Sequence, residues 1–370
     1  MTLTMNAAVF VAPNEPLEVQ QLQISSTPGR GEVLVKLAAS GVCHSDFHVL
    51  RGEWASPAPM VLGHEGAGVV EAVGRDVRTV SVGDHVILSW TPSCRVCEFC
   101  VSGRPVLCDL ANATAYQHLS FDGKTRLTQD GKGVNSFLAV GSFGEYAMVP
   151  ESGAVPIRKD APLAQAALVG CAVTTGVGAV VNTAKVEPGS IVLVIGCGGV
   201  GLNVIQGAKL AGAQRIIAAD MSDEKLELGR AFGATDVVNS GDVGLVDAVQ
   251  DLTAGRGVDY AFEAIGLPKT VEMAYEALAR GGTAVVVGQV ADGVKVSIDP
   301  FVLSDQEKTL KGSNYGSCRA SIDFPRIIEL YMAGRLELDA MVTSRIKLDE
   351  INSAFADMGR GKGIRSVIEY

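Results

Sequence analysis

The sequence predicts an α/β protein of two domains, an antiparallel barrel-like β domain and a doubly wound parallel sheet. Three observations carry this. Residues 1–150 run as short β-rich stretches broken by Gly and Pro. From residue 173, apolar strand-like runs alternate with helix-length segments, and a G-x-G-x-x-G lies between the first such strand and its helix. A chain of 370 residues also exceeds the ~250–300 residues at which a single core stops growing.

In the first domain, 32–37, 68–73, 85–89 and 146–149 read as strands, with turns at 28–31 and 82–84. The most apolar stretch, 164–181, is interrupted by Gln165, Cys171, Thr174, Thr175 and several glycines, and reads as a buried helical segment rather than a membrane span. Strands follow at 191–195, 215–219, 236–238, 259–263 and 283–287, with 308–311 as a sixth. Their alternation with helices implies parallel strands joined by right-handed crossovers. After residue 315 the chain reads as returning to the first domain, with helices at 324–334 and 348–359 and a closing strand at 364–368. The domains are therefore expected at 1–172 with 315–370, and at 173–314.

Composition narrows the function. With 47% hydrophobic residues the chain has enough apolar side chain to bury, which excludes disorder. Its 31 basic and 41 acidic residues leave a net charge of −10, which repels phosphate backbones, so no nucleic-acid partner is expected. No signal peptide or lipidation motif is visible, which points to the cytoplasm and away from a membrane. Of the eight cysteines, four fall between 94 and 108, a clustering that favours metal over disulfides.

Cys94, Cys97, Cys100 and Cys108 are spaced C-x2-C-x2-C-x7-C. A loop with this spacing can wrap four thiolates round one zinc and leave no open position, as a structural metal does; an iron–sulfur cluster also uses four cysteines. A second set is more scattered: Cys43 and His64, with Cys171 far downstream. Two thiolates and one imidazole make a zinc site with one position open to a substrate oxygen, whose proton the metal's charge would loosen. Singly, each reads as a core thiol or a hydrogen-bonded loop histidine. Asp46 is a candidate to hold the second ring nitrogen of His64, and Glu65 a carboxylate near the metal.

Gly196-Cys197-Gly198-Gly199-Val200-Gly201 follows a strand and opens a helix. The glycines permit a tight turn, close approach to a pyrophosphate and helix–sheet packing, and the helix N-terminus favours the phosphates. Asp220 ends the next strand. It would accept from the adenosine ribose hydroxyls and repel a 2′-phosphate, so NAD is expected rather than NADP, with Lys225 in reach of the same ribose.

Taken together, these motifs resemble the zinc-containing medium-chain alcohol dehydrogenases in their long-loop, liver-type form. The resemblance spans nearly the whole chain and is anchored by 63–68, the four-cysteine loop, Gly170-Cys171, the glycine turn and 363–368. It implies a GroES-like β-barrel catalytic domain and a Rossmann coenzyme domain, two zinc ions per chain and NAD. It places Cys43, His64 and Cys171 on the catalytic zinc and the four clustered cysteines on the structural one. Ser45 would bond the substrate hydroxyl, and His48 would end a proton relay that leads through the nicotinamide ribose to solvent. Thr175, Val200 and Ile265 would flank the nicotinamide side, and His44 and Arg365 the pyrophosphate. Trp54, Trp90, Phe137 and Leu138 would line an apolar substrate pocket.

The activity expected is reversible oxidation of an alcohol, primary and with an apolar or aromatic tail, to the aldehyde or ketone with hydride transfer to NAD. The alternatives are a carrier-thiol-dependent formaldehyde dehydrogenase and a nicotinoprotein that keeps its NAD. Trp54 and Asn112 stand where glutathione-linked relatives need charged residues, which weighs against the first alternative. A homodimer pairing near 294–303 is a further implication of the resemblance.

Overall fold

Buried Leu22 and Ile24 alternate with exposed Gln21, Gln23 and Ser25, the pattern of a strand with one dry face. That strand, Glu18–Ser25, belongs to a closed five-stranded barrel with Thr2–Phe10, Met60–Val61, Leu127–Gln129 and Lys132–Ser136. The computed structural model describes residues 1–291 and 293–370. It divides into two units, Met1–Cys171 with Arg319–Tyr370, and Ala172–Cys318.

Beside the barrel, the first unit holds a seven-stranded sheet. Its path runs through Ala154–Ile157, His85–Leu88, Glu65–Val73, Glu32–Gly41, Arg365–Glu369 and Val342–Ile346, with Tyr146–Pro150 paired to Glu32–Gly41. Phe10, Leu34, Met60, Leu62, Phe137, Phe143 and Phe355 are in its core. The register of this sheet builds a site. Gly41 pairs with Glu65 and also with Val367. The residues just past those pairs, Cys43, His64 and Arg365, are therefore brought to one end of three adjacent strands. Glycine at 41 leaves room for the Glu65 carboxylate, since a Cβ there would lie 2.1 Å from Glu65 Oε2.

The second unit is a six-stranded parallel sheet in the order Asp236–Asn239, Arg215–Asp220, Ile191–Ile195, Val258–Glu263, Leu278–Val286, Thr309–Gly312. In chain order this is 3-2-1-4-5-6, the doubly wound arrangement, with its switch point beside Ile191–Ile195.

The chain re-enters the first unit at 319, four residues beyond the expected 315. Hydroxyl contacts explain the delay: Thr183 Oγ1 lies 3.0 Å from Ser313 Oγ and 2.7 Å from Ser317 Oγ, tying the 313–317 turn to the second unit. The helical run Leu163–Ala184 is long and apolar enough to cross a membrane, with mean hydropathy 1.7. Yet 89% of its apolar window is buried, as in the core helix of a folded domain. Helices Ala320–Met332 and Ile351–Gly359 and the strand Arg365–Glu369 complete the first unit.

Candidate functional site

Cys43 ends an extended segment and opens the short helix His44–Leu50. His64 precedes the strand Glu65–Val73, and Cys171 sits in a π-helical turn, Val169–Val173, within the long core helix. A π turn re-aims a side chain that regular α geometry would point elsewhere. Potential ligand atoms of Cys43, His64, Glu65 and Cys171 all lie within 4.8 Å of one another, and all four residues are buried.

Asp46 organises this set. Its Oδ1 accepts from the Gly63 amide at 2.8 Å and lies 3.3 Å from His64 Nδ1, while Oδ2 accepts from the Cys43 amide at 3.3 Å. The second ring nitrogen of His64 is left for a metal. Cys171 and, beyond it, Arg365 and His64 hold the Cys43 thiol well below its ordinary range against the opposing effect of burial. Burial lowers the pKa of His64, but the charge and hydrogen bond of Asp46 outweigh it and raise it. Burial pushes Glu65 up to about 7, with Arg365 opposing. Arg365 lies 3.6 Å from Glu65 Oε1 and donates toward Cys43 Sγ at 3.7 Å. The guanidinium foreseen at the pyrophosphate thus packs against the sulfur–carboxylate set.

Two soft sulfurs and an imidazole, buried and convergent, suit zinc. So does the second set. The Sγ atoms of Cys94, Cys97, Cys100 and Cys108 lie within 4.8 Å of one another. The Cys94 amide donates to Cys108 Sγ at 3.2 Å, and the Cys97 amide to Cys94 Sγ at 3.3 Å. Ala111, Ala115 and Ala139 pack beneath.

Ser45 and His48 lie three residues apart on the His44–Leu50 helix, and so on one face. Ser45 Oγ accepts weakly from Cys43 Sγ at 3.8 Å, so the hydroxyl is beside the sulfur set. His48 stacks on Trp54 with centroids 4.9 Å apart, and its Nδ1 is 2.5 Å from Glu53 Oε2. His44 is exposed, 6.4 Å from the His48 ring. Phe137 and Trp90 meet the His64 ring edge-on at 5.5 and 6.4 Å. Leu138 is half-buried next to Phe137 and donates its amide to His118 Nδ1 at 3.2 Å. Sequence reasoning missed Glu53, Tyr116, which packs edge-on to Trp90 at 6.0 Å, and His118; none belongs to a spaced motif.

In the second unit the glycine turn has the form a dinucleotide needs. A Cβ at Gly201 would lie 1.7 Å from Gly196 O, so nothing larger fits. A Cβ at Gly198 would meet nothing within 4 Å, which leaves room for a pyrophosphate. Asp220 Oδ2 accepts from the Cys197 amide at 2.9 Å and Oδ1 from the Met221 amide at 2.8 Å, which fixes the carboxylate at the strand end. The cap of the following helix is Ser222, and Lys225 is half-buried in that helix's first turn. Ile265 lies over the turn, its Cγ1 2.7 Å from where a Gly196 Cβ would be. A Cβ at Gly176 would lie 2.5 Å from Val200 O, so Thr175 and Val200 come from closely packed helices. Thr175 Oγ1 is buried with no partner among the described residues, as suits a hydroxyl awaiting a ligand.

The profile described as alcohol dehydrogenase GroES-like domain matches residues 29–159, and that described as zinc-binding dehydrogenase matches 199–333. An S-(hydroxymethyl)glutathione dehydrogenase of Paracoccus denitrificans is 40% identical over 375 residues, covering 98% of this chain and 99% of the relative. The chain belongs to the zinc-containing medium-chain alcohol dehydrogenase family. An Escherichia coli protein, also named S-(hydroxymethyl)glutathione dehydrogenase, is 42% identical over 368 residues, covering 98% of this chain and 99% of the relative. The crystal structure of benzyl alcohol dehydrogenase from Acinetobacter calcoaceticus superposes with a TM-score of 0.94 at 35% identity, covering 99% of each chain. This dehydrogenase is an oxidoreductase with NAD and zinc as its cofactors.

Proposed function

We propose that this enzyme oxidises the hydroxymethyl adduct of a small carrier thiol, with NAD taking the hydride. The convergence of Cys43, His64 and Cys171 beside Ser45 carries the chemistry, and the names of the curated relatives support the substrate. They outweigh the apolar-alcohol preference expected from sequence.

When bound, zinc supplies a Lewis acid that loosens the substrate's hydroxyl proton, and NAD supplies the hydride acceptor. Cys43, His64 and Cys171 would hold the metal, and Asp46 would keep the His64 ring in place. Ser45 would accept the hydroxyl proton while releasing its own, which leaves by way of His48, one turn along the same helix face. Glu65, held by Arg365, adds a carboxylate beside the metal. The glycine turn, Asp220 and Lys225 grip the pyrophosphate and ribose, and Thr175, Val200 and Ile265 flank the nicotinamide. His44 contributes to the anionic side.

One observation favours a second reading, an aromatic primary alcohol. Trp90 and Phe137 flank His64, Trp54 covers His48, and the Acinetobacter neighbour is a benzyl alcohol dehydrogenase. Turnover with NAD is compared for formaldehyde plus glutathione and for benzyl alcohol. A higher kcat/KM for the thiol adduct supports the first reading; a higher value for benzyl alcohol replaces it with the second. Turnover that needs no added NAD but requires another electron acceptor would make the protein a nicotinoprotein.

A homodimer is supported by the exposure of Val294, Phe301 and Leu303 within 294–303. Six of the eight cysteines fall in the two metal-capable sets, a use of thiols that supports a reducing, cytoplasmic location.

A further inference from the structure

His48 is the outermost member of the relay, and its surroundings hold its ring in one orientation. One face stacks on Trp54, 4.9 Å between centroids and 26° between planes. The turn carrying Trp54 folds back on the helix, since the Glu53 and Trp54 amides both donate to the His48 carbonyl, at 2.9 and 3.3 Å. That return places Glu53 Oε2 2.5 Å from His48 Nδ1. Arg51 holds the other oxygen, with Nε 3.1 Å from Oε1. The carboxylate is therefore fixed from two sides although the pair is part-exposed, with 29% and 41% of the two side chains accessible.

We propose that Glu53 is a positioning residue of the relay, acting through His48. Rested against this carboxylate, Nδ1 keeps its proton and Nε2 offers the lone pair, so the ring receives a proton from the Ser45 side at Nε2. The negative charge also faces the imidazolium formed until solvent takes its proton. The logic is that of a carboxylate behind a catalytic histidine, here at the end of a relay. The titratable and charged groups facing His48 are His44 on its own helix and Glu53 with its Arg51 partner on the following turn. Glu53 is held below the ordinary carboxylate range, first by its hydrogen bond to His48, so it is charged whenever His48 is asked to act.

This inference rests on the relay reading above, and the test separates the two. The pH profile of kcat/KM for alcohol oxidation is measured with NAD and benzyl alcohol, or with formaldehyde plus glutathione if only that pair turns over. Wild type, His48→Gln and Glu53→Gln are compared. A glutamine at 53 can still accept from Nδ1–H but carries no charge, so the inflection moves to lower pH and the alkaline plateau falls. His48→Gln loses the inflection. If it is lost in His48→Gln but unmoved in Glu53→Gln, the role of Glu53 is overturned and the relay stands. If His48→Gln keeps the wild-type inflection, the relay falls and this inference with it.

Discussion

The two sulfur sets of the first unit are built in opposite ways. The four-cysteine set draws all its ligands from one loop of fifteen residues, 94–108, and its sulfurs accept hydrogen bonds from that loop's own amides. The second set draws ligands from residues 43, 64 and 171, assembled by sheet register and by a π turn, and oriented by the carboxylate of Asp46. Three of the loop cysteines are part-exposed, whereas every member of the second set is buried. The first arrangement closes a metal off with sulfur. The second fixes three ligands rigidly enough to leave a corner for substrate. Only the second needs the folded first unit to exist.

The largest effect that contrast predicts is at Cys43. Replacing it with serine removes a ligand of the open site while the loop set keeps its own. Activity should fall about a thousandfold, the several kcal/mol expected of a lost Lewis acid, with one zinc per chain remaining by metal analysis. Loss of both metals would show that the two sets are not independent. Cys100→Ser should do the reverse. The loop zinc is lost and stability falls by about 3 kcal/mol, roughly 5 °C in Tm, while kcat/KM per folded molecule stays within a few-fold when assayed cold. A large loss of cold activity in this variant would mean that the closed set also shapes the reaction site. Asp46→Asn should cost about 10–100-fold in activity or in affinity of the open-site metal, leaving the loop metal untouched.

How much of this was legible in the sequence follows the same division. The loop set is a local spacing and could be read directly. The glycine turn could be read too, because its strand, turn and helix are contiguous. Cys43, His64 and Cys171 could be grouped by their chemistry and by resemblance, but their meeting could not be derived, since register and a π turn are not visible in a lone sequence. None of the five barrel strands was read from sequence: Thr2–Phe10, Glu18–Ser25 and Met60–Val61 are short or mixed in pattern. A signal for the remaining hairpin was present in Asp130-Gly131, whose φ angles of 48° and 77° make the two-residue turn between Leu127–Gln129 and Lys132–Ser136. The partners of His48 could not be foreseen, because Glu53 reaches it only through a turn.

The smallest expected effect lies between the two sets, at His118. This buried ring follows the loop set in sequence, and its Nδ1 accepts from the Leu138 amide next to Phe137, which flanks His64. Burial holds its pKa down at about 4 in the folded protein. The unfolded value is higher, about 6.5, so the unfolded chain binds the extra proton first. The stability that neutral His118 contributes is therefore whole above pH ~6.5 and is lost as pH falls toward ~4. Linkage gives a loss of about 1 kcal/mol by pH 5.5. His118→Gln keeps an acceptor for the Leu138 amide but cannot take the proton. Denaturant unfolding of both proteins at pH 7.5 and 5.5 checks this: the variant should lose about 1 kcal/mol less than wild type over that interval. An equal loss in the two would mean that the ring reaches water and titrates as it does in the unfolded chain.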